Sequence, residues 1–228
     1  LIKICGVRSP EIAREVETLG ADLMGLILAP SRRRLSVEEA AKIVSALERH
    51  TKVVGVFVNE PVAGMNEIAD RVDLDFVQLS GDEPADVQVE IDRPVIRALR
   101  LPVGTSFEDA CRHAEQYFTC AKPARAFLLD AHVPGVYGGT GLTSDWTIAA
   151  HLAERFPVIL AGGLNPETVG QAIEEVLPLG VDVSSGVETN GHKDATKIAQ
   201  FIANVRGVAE RGTATHQDSS TRLVRALG

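Results

Sequence analysis

The stretch of residues 158–186, VILAGGLNPETVGQAIEEVLPLGVDVSSG, decides the fold. It contains two short runs with β-branched residues, at 158–161 and 181–184, and the segment between them, 166–176, has helical periodicity. A strand, a helix and a second strand in this order are typical of a βαβ unit, in which the two strands lie parallel. The stretch therefore predicts a parallel sheet covered by helices.

The same alternation runs through the rest of the chain and predicts eight strands in all. They fall at residues 2–5, 23–28, 53–58, 76–79, 95–99, 126–130, 158–161 and 181–184. Helices are predicted at 10–19, 37–48, 62–71, 107–117, 146–155, 166–176 and 194–205, with a weaker helical pattern at 83–91. Repeated βα units favour a closed barrel, which leaves no strand edge, over an open flavodoxin-like or Rossmann-like sheet. The predicted fold is a single (β/α)8 TIM barrel of the α/β class.

Polar residues mark the start of several predicted helices. Ser9 and Asn165 each precede a proline and an acidic residue, an order typical of a helix N-terminus. Ser36 is followed three residues later by Glu39, which predicts a capping box.

The composition narrows the class of protein. The 228 residues are 45% hydrophobic, 24% charged and only 4% aromatic, which suits aliphatic parallel strands covered by helices. The formal net charge of -8 disfavours nucleic acid and anionic membranes as partners. No apolar run approaches the roughly 20 residues of a membrane span. A small anionic ligand would therefore have to be bound by local groups.

Cysteine usage and the C-terminal sequence complete the outline. An odd number of cysteines, Cys5, Cys111 and Cys120, argues against a disulfide framework and for a reducing compartment, so a cytoplasmic location is expected. The barrel is expected to occupy residues 1–207, and the polar segment 208–228 is expected to be a mobile tail.

The active site of a parallel barrel lies at the C-terminal ends of its strands, so the residues that follow each strand are the candidates. After the last two strands come Gly162-Gly163 and Ser184-Ser185-Gly186. These are the usual phosphate position in this fold, where backbone N–H groups can donate to an oxyanion. The glycines of either loop alone could serve only a tight turn. Both loops on successive strands favour a phosphate site.

Cys5 ends the first predicted strand, and Lys3 lies on the same strand face. A lone cysteine in an apolar run is often a small buried hydrophobe. At the rim of the barrel, a Cys5 thiolate could instead accept a proton if nearby cations or helix dipoles brought its pKa toward neutrality. Lys3 could supply that positive charge, or it could itself form a Schiff base with a substrate.

Asp130 ends the apolar sixth strand at the mouth of the barrel. Desolvation there would favour the protonated carboxyl and suit it to general-acid catalysis, whereas the structural alternative is a cap bound to backbone N–H groups. The following segment, 132–141, ends in Tyr-Gly-Gly-Thr-Gly and is either a flexible lid over the ligand or a linker.

The run Arg32-Arg33-Arg34 follows the second strand. A short basic run is usually solvated, but one arginine between a strand and its helix could reach inward and bind a carboxylate through two parallel hydrogen bonds. His132, His151 and His192 lack the spacing of metal ligands, so no metal site and no cofactor are predicted.

The residues at the strand ends together resemble the phosphoribosylanthranilate isomerase family of tryptophan biosynthesis. The resemblance covers about residues 1–207 and rests on seven strings in order: Lys3-Ile4-Cys5-Gly6, Gly55-Val56-Phe57-Val58-Asn59, Val77-Gln78-Leu79-Ser80-Gly81, Leu129-Asp130, Gly138-Gly139-Thr140-Gly141 with Asp145-Trp146, Gly162-Gly163-Leu164-Asn165-Pro166, and Asp182-Val183-Ser184-Ser185-Gly186-Val187-Glu188. Each string is weak alone, but their order and barrel spacing are specific.

The resemblance implies an Amadori rearrangement of N-(5-phosphoribosyl)anthranilate to 1-(2-carboxyphenylamino)-1-deoxyribulose 5-phosphate without a cofactor. It implies that Asp130 protonates the furanose oxygen and that Cys5 takes the proton from C2. The Ser-x-Arg pattern at Ser31 selects Arg33 for the anthranilate carboxylate. The substrate-binding residues implied by the resemblance are Arg33, Gly162, Gly163, Asp182, Ser184, Ser185 and Gly186. Ser80 departs from the family, which usually has histidine there.

Two other functions are compatible with the same pattern. One is a different phosphosugar enzyme, such as a lyase with Lys3 as its Schiff-base residue or a related sugar-phosphate isomerase. The other is a non-catalytic sugar-phosphate sensor, which would need the glycine loops but neither Cys5 nor Asp130. The expected partner is a small phosphosugar, and the expected oligomeric state is a monomer or a homodimer.

Overall fold

The computed structural model describes residues 1–102, 104–130 and 143–213, and for 143–145, 209 and 211–213 it describes the backbone only. Eight parallel strands form a closed barrel in chain order, which confirms the predicted fold. They are β1 (Ile2–Cys5), β2 (Leu23–Ile27), β3 (Lys52–Phe57), β4 (Phe76–Leu79), β5 (Val95–Leu99), β6 (Ala126–Asp130), β7 (Val158–Ala161) and β8 (Gly180–Val183). Each lies within one residue of its predicted bounds at either end.

Helices follow the strands and cover the outside of the barrel. They are α1 (Pro10–Thr18), α2 (Val37–Val44), α3 (Val62–Val72), α4 (Val87–Glu90), α5 (Phe107–Phe118), α6 (Thr143–Arg155), α7 (Val169–Val176) and α8 (Ala195–Thr213). No helix in the described part of the chain is long and apolar enough to cross a membrane.

Side-chain caps set the start of the helices as predicted. Ser9 accepts from the backbone N–H of Ile12, and Ser36 and Glu39 form the reciprocal capping box. Asn165 accepts from the backbone N–H of Thr168 at 2.9 Å, so the predicted cap is present one turn before the regular part of α7.

Several helix bounds differ from the prediction, and α6 begins three residues earlier and α7 three residues later than predicted. The second helix was predicted to reach 48 but ends at Val44, where the Ser45 hydroxyl donates to the carbonyl of Lys42 and competes with further helical turns. The segment at 83–91 has only the short α4, because Glu83 turns inward and accepts from the backbone N–H of Gly81. The last helix continues to Thr213, past the predicted barrel boundary at 207. That boundary stays a prediction, and the tail beyond 213 lies outside the described residues.

The core has two parts. The larger part lies between the strands and the surrounding helices, and a smaller apolar cluster fills the barrel interior. The interior cluster contains Leu23, Val54, Phe76, Ile96, Ala126, Leu128, Ile159 and Ala161, which come from strands β2 to β7. Its side chains close the barrel into a packed core rather than a channel.

A small hairpin that was not predicted follows the last strand. A short 3-10 turn, Ser185–Val187, leads into β9 (Glu188–Thr189), which pairs antiparallel with β10 (His192–Lys193). Asn190 and Gly191 join the two strands with φ of 53° and 78°, the left-handed values that a two-residue hairpin turn requires. The hairpin places Glu188 and Lys193 beside the C-terminal rim of the barrel.

Candidate active site

Cys5 lies at the end of β1, is 7% exposed, and faces the barrel interior. Its register partner on β2 is Gly25. A Cβ at Gly25 would lie 2.8 Å from Cys5 Sγ, so glycine is needed there to make room for the thiol. The three cysteines are free.

Lys3 and Asp182 form an ion pair below Cys5, inside the barrel. Lys3 Nζ donates to Asp182 Oδ1 at 2.9 Å, and Lys3 is fully buried. Burial alone would lower the pKa of Lys3, but the charges and hydrogen bonds of Asp182 and Cys5 outweigh it and raise that pKa. A protonated ammonium held by a carboxylate is a poor nucleophile, so the Schiff-base alternative for Lys3 loses support.

The pKa of Cys5 is raised, because burial outweighs the nearby cations Lys3 and Lys193, and Asp182 raises it further. The condition that nearby cations bring the pKa of this thiol toward neutrality is therefore not met in this structure. The predicted cation is present, since Lys3 is a positive group next to Cys5. Its attraction for the thiolate is nevertheless smaller than the free-energy cost of burying that charge.

Arg33 reaches over the rim from the loop between β2 and α2. Its stem passes Gly6, where φ is 77° and a Cβ would lie 2.7 Å from Arg33 Cδ. Arg33 Nε and Nη2 donate to the two carboxylate oxygens of Glu188, each at 2.7 Å. The sequence reasoning thus selected the arginine of the run that turns inward: the Arg33 side chain is 14% exposed, whereas Arg32 is 71% exposed.

Glu188 and Lys193 are site residues that sequence reasoning missed. Lys193 Nζ donates to Glu188 at 3.0 Å and to the carbonyl of Ser184 at 2.8 Å. Hydrogen bonds from Arg33 and Lys193 lower the pKa of Glu188 to about 2, although burial opposes the shift. The Asn-Gly pair at 190–191 is a strong hairpin signal and could have placed both side chains beside the rim.

Asp130 is the last residue of β6, and its register partner is Ala161, next to Gly162. Its side chain is exposed, so the burial expected for this carboxyl is absent. The reason is its position one residue beyond the apolar run, where the strand leaves the core. The predicted loop at 132–141, including its Tyr-Gly-Gly-Thr-Gly end, lies outside the described residues.

The two glycine-rich loops lie side by side at the rim. Gly162 and Gly163 have φ of 89° and 66°, a conformation that favours glycine. A Cβ on Gly186 would lie 1.9 Å from the carbonyl oxygen of Leu164, so the backbones of the β7 and β8 loops touch at this point. Ser184 and Ser185 stand at the start of the second loop, and the backbones of both loops line one part of the rim.

Asp182 and Ser80 occupy positions that limit their roles. The Asp182 carboxylate accepts from Lys3 inside the barrel and is 8% exposed, so its described contact is with the protein's own cation. The Ser80 hydroxyl accepts from Gln78 Nε2 at 2.9 Å, which shows what serine does where the family usually has histidine.

Among the described residues, no group of three or more His, Cys, Asp or Glu side chains could hold a metal ion.

A closed barrel with a buried thiol, a carboxylate and two glycine-rich loops at one rim defines the class of (β/α)8-barrel enzymes. Residues 2–204 match the family of N-(5'phosphoribosyl)anthranilate (PRA) isomerases. The chain belongs to this family. The PRA isomerase function in tryptophan biosynthesis that the sequence predicts is thereby confirmed.

Relatives and solved structures agree with the family match. An N-(5'-phosphoribosyl)anthranilate isomerase of Roseiflexus sp. strain RS-1 is 44% identical over 92% of this chain and 99% of the relative. The Roseiflexus castenholzii protein of the same name is 47% identical over 92% and 99%. The crystal structure of phosphoribosyl anthranilate isomerase from Thermotoga maritima superposes with a TM-score of 0.77, 40% identity and coverage of 90% and 98%.

One similar structure holds a ligand. It is a phosphoribosyl anthranilate isomerase in complex with reduced 1-(o-carboxyphenylamino)-1-deoxyribulose 5-phosphate, with a TM-score of 0.75, 38% identity and coverage of 90% and 98%.

Proposed function

We propose that the protein converts N-(5-phosphoribosyl)anthranilate to 1-(2-carboxyphenylamino)-1-deoxyribulose 5-phosphate as an intramolecular oxidoreductase, with Asp130 as general acid and Cys5 as general base. The observation that carries the mechanism is the placement of the Cys5 thiol inside the rim, with Asp130 at the end of β6 on the same rim. The similar structure that holds a reduced form of this product supports the choice of substrate.

The reaction begins at the ribose ring. Asp130 gives its proton to the furanose oxygen, the bond from that oxygen to C1 breaks, and the nitrogen lone pair forms a Schiff base with C1. The exposed position of Asp130 lets the carboxyl exchange protons with solvent between turnovers. General-acid catalysis of this kind contributes typically about 10²–10⁴ in rate.

Cys5 completes the isomerisation. Its thiolate takes the proton from C2, and the electron pair of that bond moves into the Schiff base to give an enolamine. The enolamine then loses its hydroxyl proton and gains a proton at C1, so C2 becomes a ketone and C1 a methylene. C2 is oxidised and C1 is reduced within one molecule, and no external oxidant or cofactor is required.

The two ends of the substrate are bound by different parts of the rim. The phosphate accepts from backbone N–H groups of the β7 and β8 loops, which include Gly162, Gly163, Ser184, Ser185 and Gly186. Their contact at Gly186 and Leu164 supports a single pocket formed by both loops. Arg33 binds the carboxylate at the other end, and the ribose lies between Cys5 and Asp130. In this arrangement Asp182 orients Lys3 rather than the substrate.

The setting of the enzyme is also proposed. Three free cysteines are compatible with the reducing cytoplasm. The substrate is a small phosphosugar, and neither nucleic acid nor membrane takes part. The chain acts as a monomer or as a homodimer; a similar structure from Thermotoga maritima is described as monomers of a dimeric enzyme.

Loss of the fluorescence of phosphoribosylanthranilate tests the proposal directly. The purified protein is expected to consume the substrate under conditions in which a known isomerase does so, and no loss of signal would contradict the proposed function. Borohydride reduction in the presence of substrate separates this mechanism from a lyase mechanism. No covalent adduct on Lys3 is expected, whereas a trapped adduct would require a different chemistry.

A further inference from the structure

The Arg33 guanidinium has two edges that can each bind a carboxylate. The side-on edge consists of Nε and Nη2, and the end-on edge consists of Nη1 and the second N–H of Nη2. Glu188 occupies the side-on edge, because its two oxygens accept from Nε and Nη2 at 2.7 Å each. The end-on edge therefore keeps a pair of parallel N–H donors for another planar anion.

Glu188 is itself held from several sides. Lys193 Nζ donates to its carboxylate at 3.0 Å, and Lys197 Nζ donates to its backbone carbonyl at 2.8 Å. Its side chain is only 6% exposed, and Lys193 is the facing residue in the β9–β10 hairpin. A carboxylate fixed in this way fixes the plane of the guanidinium that it binds.

The net charge of Arg33, Glu188 and Lys193 favours binding of an anion. Arg33 and Lys193 are positive and Glu188 is negative, so the three side chains carry one excess positive charge. The stem of Arg33 packs over Gly6, which restricts the other end of the side chain. An arginine held at both its stem and its side-on edge loses little conformational entropy when it binds a ligand.

We propose that Glu188 is a positioning residue that presents the end-on edge of Arg33 to the aryl carboxylate of the substrate, so that the enzyme prefers phosphosugars bearing this group. The inference rests on the proposed function in one respect, namely that the carboxylate bound by Arg33 is the aryl carboxylate of the substrate. A purely structural ion pair would stabilise the fold without favouring one ligand over another. The two roles therefore differ in their dependence on the ligand.

Binding of two ligands that differ in one group separates the roles. The first is reduced 1-(o-carboxyphenylamino)-1-deoxyribulose 5-phosphate, and the second is the same compound made with aniline, which lacks the carboxylate. Calorimetric titration of Glu188→Gln is expected to show about tenfold weaker binding of the first ligand and a change below about twofold for the second. Glu154→Gln, which removes an exposed carboxylate from α6, is the matched control and is expected to bind both ligands like the wild type.

A double-mutant cycle adds a second readout. In an Arg33→Met background, Glu188→Gln is expected to cause no further loss of the carboxylate ligand, because the donors that Glu188 positions are gone. Equal weakening of both ligands by Glu188→Gln, unchanged binding of the carboxylate ligand, or additive losses in the cycle would each overturn the inference. If Glu188→Gln does not fold, Glu188→Asp serves instead, since its side chain is one methylene shorter and sets its carboxylate back from Nε and Nη2.

The outcomes also distinguish this inference from the proposed function. A wild-type protein that prefers the carboxylate ligand through Glu188 but does not consume phosphoribosylanthranilate would support the positioning role and contradict the isomerase mechanism. A protein that turns over the substrate but shows no preference for the carboxylate ligand due to Glu188 would support the isomerase mechanism and contradict the positioning role.

Discussion

The barrel interior has two walls built from the same kind of strand but with opposite chemistry. Strands β2 to β7 supply apolar side chains such as Phe76, Ile96 and Ile159, which pack against one another. Strands β1 and β8 supply Lys3, Cys5 and Asp182, which form a buried polar group. The first set is here called the apolar wall and the second the charged wall.

The difference shows how one sheet can serve both stability and chemistry. The apolar wall removes carbon surface from water, worth about 25 cal/mol per Å². The charged wall removes ionic groups from water, which costs free energy that pairing between Lys3 and Asp182 only offsets. A buried ion pair of this kind makes sense where a thiol needs a fixed electrostatic environment. Substitutions should therefore have different effects on the two walls.

The largest expected effect is on turnover, at the mouth of β6, where the apolar wall ends in a carboxyl group. Asp130→Asn removes the proposed acid without changing the size of the side chain. It is expected to lower kcat by about 10²–10⁴, with binding of the reduced product analogue within about threefold of wild type. Phosphoribosylanthranilate fluorescence measures the rate, and wild-type turnover would contradict the role of Asp130.

The charged wall should be sensitive to loss of one partner and tolerant of loss of both. Asp182→Asn leaves the Lys3 ammonium buried without its counter-ion and is expected to lower the free energy of unfolding by about 3–5 kcal/mol. The double variant Lys3→Met with Asp182→Leu should recover most of that loss in denaturant unfolding, but remain inactive. A double variant no more stable than Asp182→Asn would show that the pair itself holds the barrel together.

The apolar wall should show the reverse pattern. Ile159→Ala deletes buried methyl groups from the interior cluster and is expected to cost about 2–5 kcal/mol of stability. Because Ile159 belongs to the apolar interior cluster and not to the charged wall, kcat of the folded enzyme should stay within about threefold of wild type. Urea unfolding and the fluorescence assay on the same sample measure both quantities. A large fall in kcat would mean that the two walls are coupled.

The smallest predicted effect is a shift in pH dependence caused by Lys193. Among the residues that the structure describes, the charged groups that act on Cys5 are Lys3 from β1, Asp182 from β8, Arg33 from the β2–α2 loop and Lys193 from β10. The positive charge of Lys193 lowers the pKa of Cys5, so Lys193→Met should raise it. Because the thiolate is the active form, the acid limb of kcat/KM should move to higher pH by about one unit. A shift to lower pH, or none, would contradict this electrostatic role.

Local sequence signals predicted most of the fold. The periodicity of apolar residues and the turn residues located all eight strands within one residue, and Ser9 and Ser36 marked helix starts correctly. These features depend on residues that are neighbours in the chain. The end of α2 was wrong because a single serine, Ser45, competes for the last carbonyl groups. Such a competition is decided by geometry that periodicity does not report.

The candidate site was predictable as a set of strand ends but not as a network. The position of Cys5, Asp130 and Arg33 follows from barrel topology. The raised pKa of Cys5 does not, because it depends on the balance between burial and charges that come from distant parts of the chain. Glu188 appeared in one of the seven strings but was given no role, since its partner Arg33 is far away in sequence.

The central claim is that Cys5 is the catalytic base and that Lys3 and Asp182, the other residues of the charged wall, provide its electrostatic environment. Turnover of phosphoribosylanthranilate by Cys5→Ser, measured together with its thermal unfolding midpoint, tests this claim most directly. A fall of at least about a hundredfold in kcat, with an unfolding midpoint and binding of the reduced product analogue close to wild type, is the predicted result. Turnover like that of the wild type in the folded variant would contradict it.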